Sequence, residues 1–177
     1  MRIAPVSCLR ALRASGVPLW LVDCPTLYRR NGGPYRASDG RDWPDNGLRF
    51  AALCHAAARV ARNAAGLAWQ PNLIHTNDWH TGPVSVLLDD ASISRPPVVF
   101  TIHNLAFQGL FDADGLSSLG LSADTFSPES IEFYDRIPFL KAGLLYADQL
   151  TTVSRTYAQE IKAPEFGCGL DGLLRQR

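Results

Sequence analysis

The sequence predicts an α/β domain in three layers, a sheet of at least four parallel strands with helices packed on its faces, and three observations predict it. Four short apolar runs, Leu19–Val22, Asn72–His75, Pro97–Ile102 and Gln149–Val153, each follow a proline, glycine or helix-end signal, and the last two are rich in β-branched residues. Helical patterns separate them. Short strands of buried type alternating with helices belong to parallel sheets with helical crossovers.

Taken in order, Leu19–Val22 is the first strand. Leu48–Ala65 carries eight alanines and no proline or glycine, so it reads as a helix that Gly66 closes. After the strand Asn72–His75, Thr81–Asp90 places Pro83 in the first turn of a helix, where the missing N–H costs nothing. Pro97–Ile102 is the next strand. Glu132–Ala147 spaces Phe133, Ile137, Leu140 and Leu144 along one helical face, with Pro138 expected to bend or shorten it. Gln149–Val153 is the last strand, and Ser154 starts a helix over Arg155–Ile161. The segments 24–47 and 108–130 are rich in Gly, Asp, Pro and Ser, and loops of this length are commonly functional.

At 177 residues the chain is one domain, large enough to bury a core without disulfides or metals. Seventeen basic residues balance seventeen acidic ones, which leaves no general field for nucleic acid or an anionic membrane. Cysteines 8, 24, 54 and 168 form no C-x-x-C pair, which suits a reduced, cytoplasmic protein. The opening stretch holds no apolar run of signal-peptide length, and nothing approaches the ~18 apolar residues of a membrane span.

Right-handed crossovers place every strand's C-terminal end on one edge, where α/β sheets bind ligands. Strand 72–75 runs out into Thr76-Asn77-Asp78-Trp79-His80, strand 97–102 into His103-Asn104, and strand 149–153 into Ser154, with the Tyr28–Tyr35 loop alongside. Simpler readings stand beside the functional one. Asp78 suits a helix N-cap, Trp79 could pack between sheet and helix, and His80 could be a satisfied surface imidazole. His75 is expected to point inward and His55 to lie on a helix face. His103 ends an apolar strand where packing favours another apolar residue, so it reads as a site residue. The chain has no G-x-S-x-G, H-E-x-x-H, G-x-G-x-x-G or Walker motif, and His75 and His80 lack metal-ligand spacing. A neutral polar rim with aromatics suits a sugar, whose hydroxyls take amide, imidazole and carboxylate partners and whose ring face takes Trp or Tyr.

Five segments go further: Leu21-Val22-Asp23-Cys24-Pro25, Asp45-Asn46-Gly47-Leu48-Arg49-Phe50, His75 through Gly82, Thr101 through Gly109, and Phe139 through Leu144. Together with Val153-Ser154-x-Thr156-Tyr157-Ala158-x-Glu160 and Gly169 through Leu174, they closely resemble the bacterial glycogen synthases and plant starch synthases. The resemblance implies the GT-B architecture, two Rossmann-like domains facing across a cleft. Residues 1–177 then correspond to the N-terminal, acceptor-side domain, incomplete at its N-terminus and without the nucleotide-sugar domain, so that this chain alone is expected to be inactive. The implied reaction transfers glucose from ADP-glucose to the non-reducing 4-hydroxyl of an α-1,4-glucan with retention, with no metal or cofactor. By the same resemblance His103 lies against the donor glucose, Asn104 supports its turn, and Asp78 orients the acceptor. Trp79, His80 and Tyr35 shape the acceptor cleft, and Asn77 stands where the family frequently has histidine. The alternatives are a non-catalytic glucan-binding or remnant module, and a sucrose synthase-like transferase.

Overall fold

The computed structural model describes the backbone of residues 7–12 and all of residues 16–91 and 94–177. In chain order the elements are β1 (Ser7–Leu12), β2 (Pro18–Asp23), α1 (Pro25–Tyr28), α2 (Asn46–Ala61), β3 (Ile74–Asn77), α3 (Pro83–Leu87), β4 (Val98–Ile102), β5 (Leu110–Asp112), β6 (Arg136–Pro138), α4 (Phe139–Tyr146), β7 (Gln149–Thr152), α5 (Arg155–Glu160) and α6 (Asp171–Gln176). The central sheet is parallel, in the order β3-β4-β7. Pro97 cannot donate to a ladder, so β4 opens directly after it, and the Ile74 N–H donates to the Pro97 carbonyl at 2.9 Å. This contact sets where β3 begins, two residues later than the expected Asn72.

Val98, Phe100 and Ile102 alternate onto one face of β4 and are fully buried. They meet Cys54 and Ala58 of α2, Val84 of α3, Leu88, and Leu140 and Leu144 of α4. Gly143 admits the Phe100 ring, since a Cβ there would lie 2.4 Å from it. The opposite face is not covered in this way. His75, Asn77, Gln149 and Thr151 are exposed there.

The first strand departs from expectation. The run Leu19–Val22 lies in β2, which pairs antiparallel with β1 in a separate hairpin, and the parallel sheet has three strands among the described residues. Only five residues separate β1 from β2, far short of the dozen that a parallel crossover needs.

Helix limits also move. α2 ends at Ala61 and not at Gly66, because Asn63 takes φ +55° and the Ala64 N–H closes back on the Arg59 carbonyl at 2.8 Å. The pattern over 132–147 becomes helix only from Phe139. Tyr134 and Asp135 both have positive φ, a turn that no α-helix can cross, and β6 follows, paired with β5. Pro138 therefore precedes α4 and does not bend it. Thr81–Asp90 is shorter than predicted, a 3-10 turn over Trp79–Thr81 and then α3, with Pro83 first as expected. Ser154 caps α5, its Oγ accepting the Tyr157 N–H at 3.0 Å.

Candidate active site

The register aligns Asn77, Thr101 and Thr151, so β3, β4 and β7 release Asp78, His103 and Ser154 on the same edge. Asp78 has φ +55° and ψ −177°, a backbone region used almost exclusively by glycine and costing roughly 1–3 kcal/mol elsewhere. It does not cap the turn that follows. Its Oδ1 reaches the neighbouring exit and accepts the His103 N–H at 2.7 Å, with the Asn104 N–H at 3.4 Å. Thr81 takes over locally, its Oγ1 accepting the Asn77 N–H at 2.6 Å and donating to the Asn77 carbonyl at 2.8 Å.

Trp79 serves both readings at once. Half-buried, it stacks on His80 at 4.1 Å between centroids, meets Phe50 edge-on at 4.7 Å, and lies beside Phe111. Gly109 makes room for it, since a Cβ at this positive-φ position would lie 2.3 Å from the indole. His80 is not the satisfied surface imidazole that one reading expected. It is half-buried, its Nε2 is enclosed without a partner, and burial lowers its pKa against the opposing pull of Asp78. Tyr35, 43% exposed, sets its ring 5.4 Å from His80 and 6.2 Å from Trp79.

Tyr35 is held from below. The Asn46 Nδ2 and the Trp43 N–H both donate to its carbonyl at 2.9 Å. Arg49, 7% exposed, donates to the carbonyls of Leu27 and Pro34 and to Asn46 Oδ1 at 2.8–3.1 Å. Arg30 forks onto Asp45 at 2.8 and 2.9 Å and lies over the Trp43 ring. Segment 24–47, irregular by sequence, is thus tied down by the side chains of Asn46 and Arg49 at the start of α2. Sequence reasoning gave these residues no role, although both stand in the Asp45–Phe50 motif.

These elements enclose a pocket of 790 Å³. Tyr35, Asp78, Trp79, His80 and Asn104 line it, joined by Asn46, Gln108, Gly109 and Phe111, which were not singled out. Among the described residues Arg36 is the one arginine or lysine in the lining, and it is paired with Asp42 at 3.0 Å. His103 is not part of the lining. Its exposed ring is 2.9 Å from Asn77 Oδ1. His75, expected to point inward, is exposed on the open sheet face, its Nε2 2.6 Å from Thr101 Oγ1, which lies 2.5 Å from Thr151 Oγ1. Ile74 and Thr76 are the strand residues that turn inward. His55 does lie on the α2 face, 2.9 Å from the Leu119 carbonyl. Among the described residues no cluster of three His, Cys, Asp or Glu side chains could hold a metal, and no helix is long and apolar enough to cross a membrane. Amide, carboxylate and imidazole groups facing flat rings in a pocket of this size can bind a polyhydroxylated chain.

Comparison with known proteins bears on this arrangement. The family model described as the starch synthase catalytic domain matches residues 3–176. A glycogen synthase of Burkholderia thailandensis is 56% identical over 163 residues, which is 92% of this chain and 31% of that protein. Glycogen synthase 2 of Nitrosococcus oceani is 50% identical over 176 residues, 99% of this chain and 35% of its own length. The solved catalytic domain of starch synthase IV from Arabidopsis thaliana, bound to ADP and acarbose, aligns with a TM-score of 0.78 at 25% identity, covering 97% of this chain and 35% of that one. The chain spans about a third of the length of these relatives.

Proposed function

Because the chain belongs to the starch synthase catalytic-domain family, we propose that residues 1–177 form the acceptor-side domain of a cytoplasmic GT-B glucosyltransferase. It passes glucose from ADP-glucose to the non-reducing 4-hydroxyl of an α-1,4-glucan, with retention and without a metal or cofactor. The observation that carries this reading is the pocket, in which Tyr35, Trp79 and His80 offer ring faces while Asp78 and Asn104 offer polar partners. Asp78 and Asn104 orient the acceptor and the turn above it. His103 faces the donor, stabilising positive charge that grows at the anomeric carbon. Free thiols at Cys24, Cys54 and Cys168 suit a reducing compartment.

The lining also supports a division of labour. A departing diphosphate needs cations aimed at it, and Arg36 is already paired with Asp42. The 177 residues by themselves therefore bind glucan and do not transfer glucose. Titrating the chain with maltoheptaose by calorimetry, beside an assay for incorporation of labelled ADP-glucose into glycogen, tests both halves. The expected result is saturable binding that Trp79→Ala weakens about tenfold, equivalent to ~1.4 kcal/mol, with no incorporation. A chain that binds no maltoheptaose, or binds it equally well without Trp79, contradicts the acceptor-side assignment. Robust incorporation contradicts the division of labour.

A further inference from the structure

Asn77, the last residue of β3, points onto the sheet face that the helices leave open, and its Oδ1 lies 2.9 Å from Nε2 of His103. The next residue, Asp78, holds the same histidine at its other end by accepting the backbone N–H at 2.7 Å. In a regular strand consecutive side chains leave on opposite faces, so two neighbours do not both reach one residue beside them in the way that Asn77 and Asp78 reach His103 just past the end of β4. The φ of +55° at Asp78 breaks that alternation and lets them do so.

The chemistry of the contact is one-sided. An amide oxygen only accepts, so the ring nitrogen facing it carries the proton. A neutral imidazole has one N–H, and placing it on Nε2 leaves Nδ1 as an acceptor. His75, one strand position before the Thr76–Asn77 pair, provides the contrast. Its Nε2 meets the hydroxyl of Thr101 at 2.6 Å, which can donate or accept and therefore imposes no tautomer.

We infer that Asn77 is a positioning residue that pins the His103 ring in its Nε2–H form and presents Nδ1 as the acceptor of a sugar hydroxyl. The use of Nδ1 rests on the glucosyl-transfer reading, whereas the tautomer does not. The test needs no glucan, so failure of the inference is distinguishable from failure of that reading.

The imidazole nitrogens of the ¹⁵N-labelled chain can be read by long-range proton–nitrogen correlation at a pH where the rings are neutral. His103 is expected to show the Nε2–H form in clear excess over the ratio of free imidazole. Asn77→Leu keeps the shape and removes the acceptor, and should lower that excess about fivefold, the equivalent of the ~1 kcal/mol of one neutral hydrogen bond. The His55, His75 and His80 signals should stay in place. Asn77→Asp retains an acceptor and should keep the proton on Nε2, rescuing what leucine loses. A Leu variant with the parent's tautomer ratio overturns the inference, as does an Asp variant that behaves like Leu. If Asn77→Leu does not fold, the parent chain decides: a free-imidazole ratio, or a proton on Nδ1, overturns it.

Discussion

Two strand exits on the same edge of the sheet handle the same problem in opposite ways. At the end of β7, Ser154 sits in extended backbone and its hydroxyl caps α5. At the end of β3, Asp78 is an equally good capping residue by type, yet it leaves the following turn to Thr81, adopts a backbone suited to glycine, and sends its carboxylate to the β4 exit. Capping lowers the energy of the fold, whereas the Asp78 arrangement raises it locally to join two loops. The difference teaches that the β7 exit is architecture and the β3 and β4 exits are one preorganised site.

Substitutions at the two exits should therefore separate rate from stability. The largest effect is expected in a transferase made by joining this chain to the remainder of a glycogen synthase relative. There His103→Ala should lower turnover by about 10²–10³, the usual loss for one preorganised group acting on developing charge, while Trp79→Ala mainly raises the glucan requirement. A His103→Ala enzyme with normal turnover and a raised glucan requirement would make His103 an acceptor contact and dissolve the contrast. Arg49→Met comes next, because it leaves two carbonyls and Asn46 Oδ1 beneath Tyr35 without their donor. Denaturant unfolding should show a loss of roughly 2–4 kcal/mol.

Ser154→Ala should cost about 1 kcal/mol, the worth of an N-cap, with maltoheptaose affinity unchanged. Asp78→Gly should do the reverse. Relief of roughly 1–3 kcal/mol of backbone strain offsets a comparable loss of hydrogen bonding, so unfolding stays near the parent while affinity falls. The smallest effect concerns His80. Burial holds its folded pKa below the unfolded value near 6.5, so the unfolded chain gains a proton first as pH falls. Stability is full above that pH and declines as pH drops from there toward the folded pKa. Thermal melts of parent and His80→Gln across this window should diverge, and identical slopes would show that the imidazole is not held neutral by the fold.

Much of this site was legible because strand ends are. A polar residue at a strand exit, repeated at Asp78, His103 and Ser154, places three groups on one edge once the sheet is parallel, and the register bears that out. What stayed hidden depends on contacts distant in sequence. Asp78 in a helix-start context reads as a cap, and only the packing of β3 beside β4 shows a nearer use for its carboxylate. The apolar spacing through Phe133, Ile137, Leu140 and Leu144 looks helical throughout, yet Ile137 reaches burial from a strand paired with Phe111. The β1–β2 hairpin was missed because the apolar pattern of Leu19–Val22 fits a buried parallel strand as well as an antiparallel one. Asn77 facing His103 has no local signal at all.

Backbone amide shifts recorded while the ¹⁵N-labelled chain is titrated with maltoheptaose test the central claim most directly. The account predicts that saturating shifts concentrate at Tyr35, Trp79, His80 and Asn104, with Ser154 and the capped start of α5 still. Shifts centred on the open sheet face around His75 and Thr151, or as large at Ser154 as at Trp79, would contradict it.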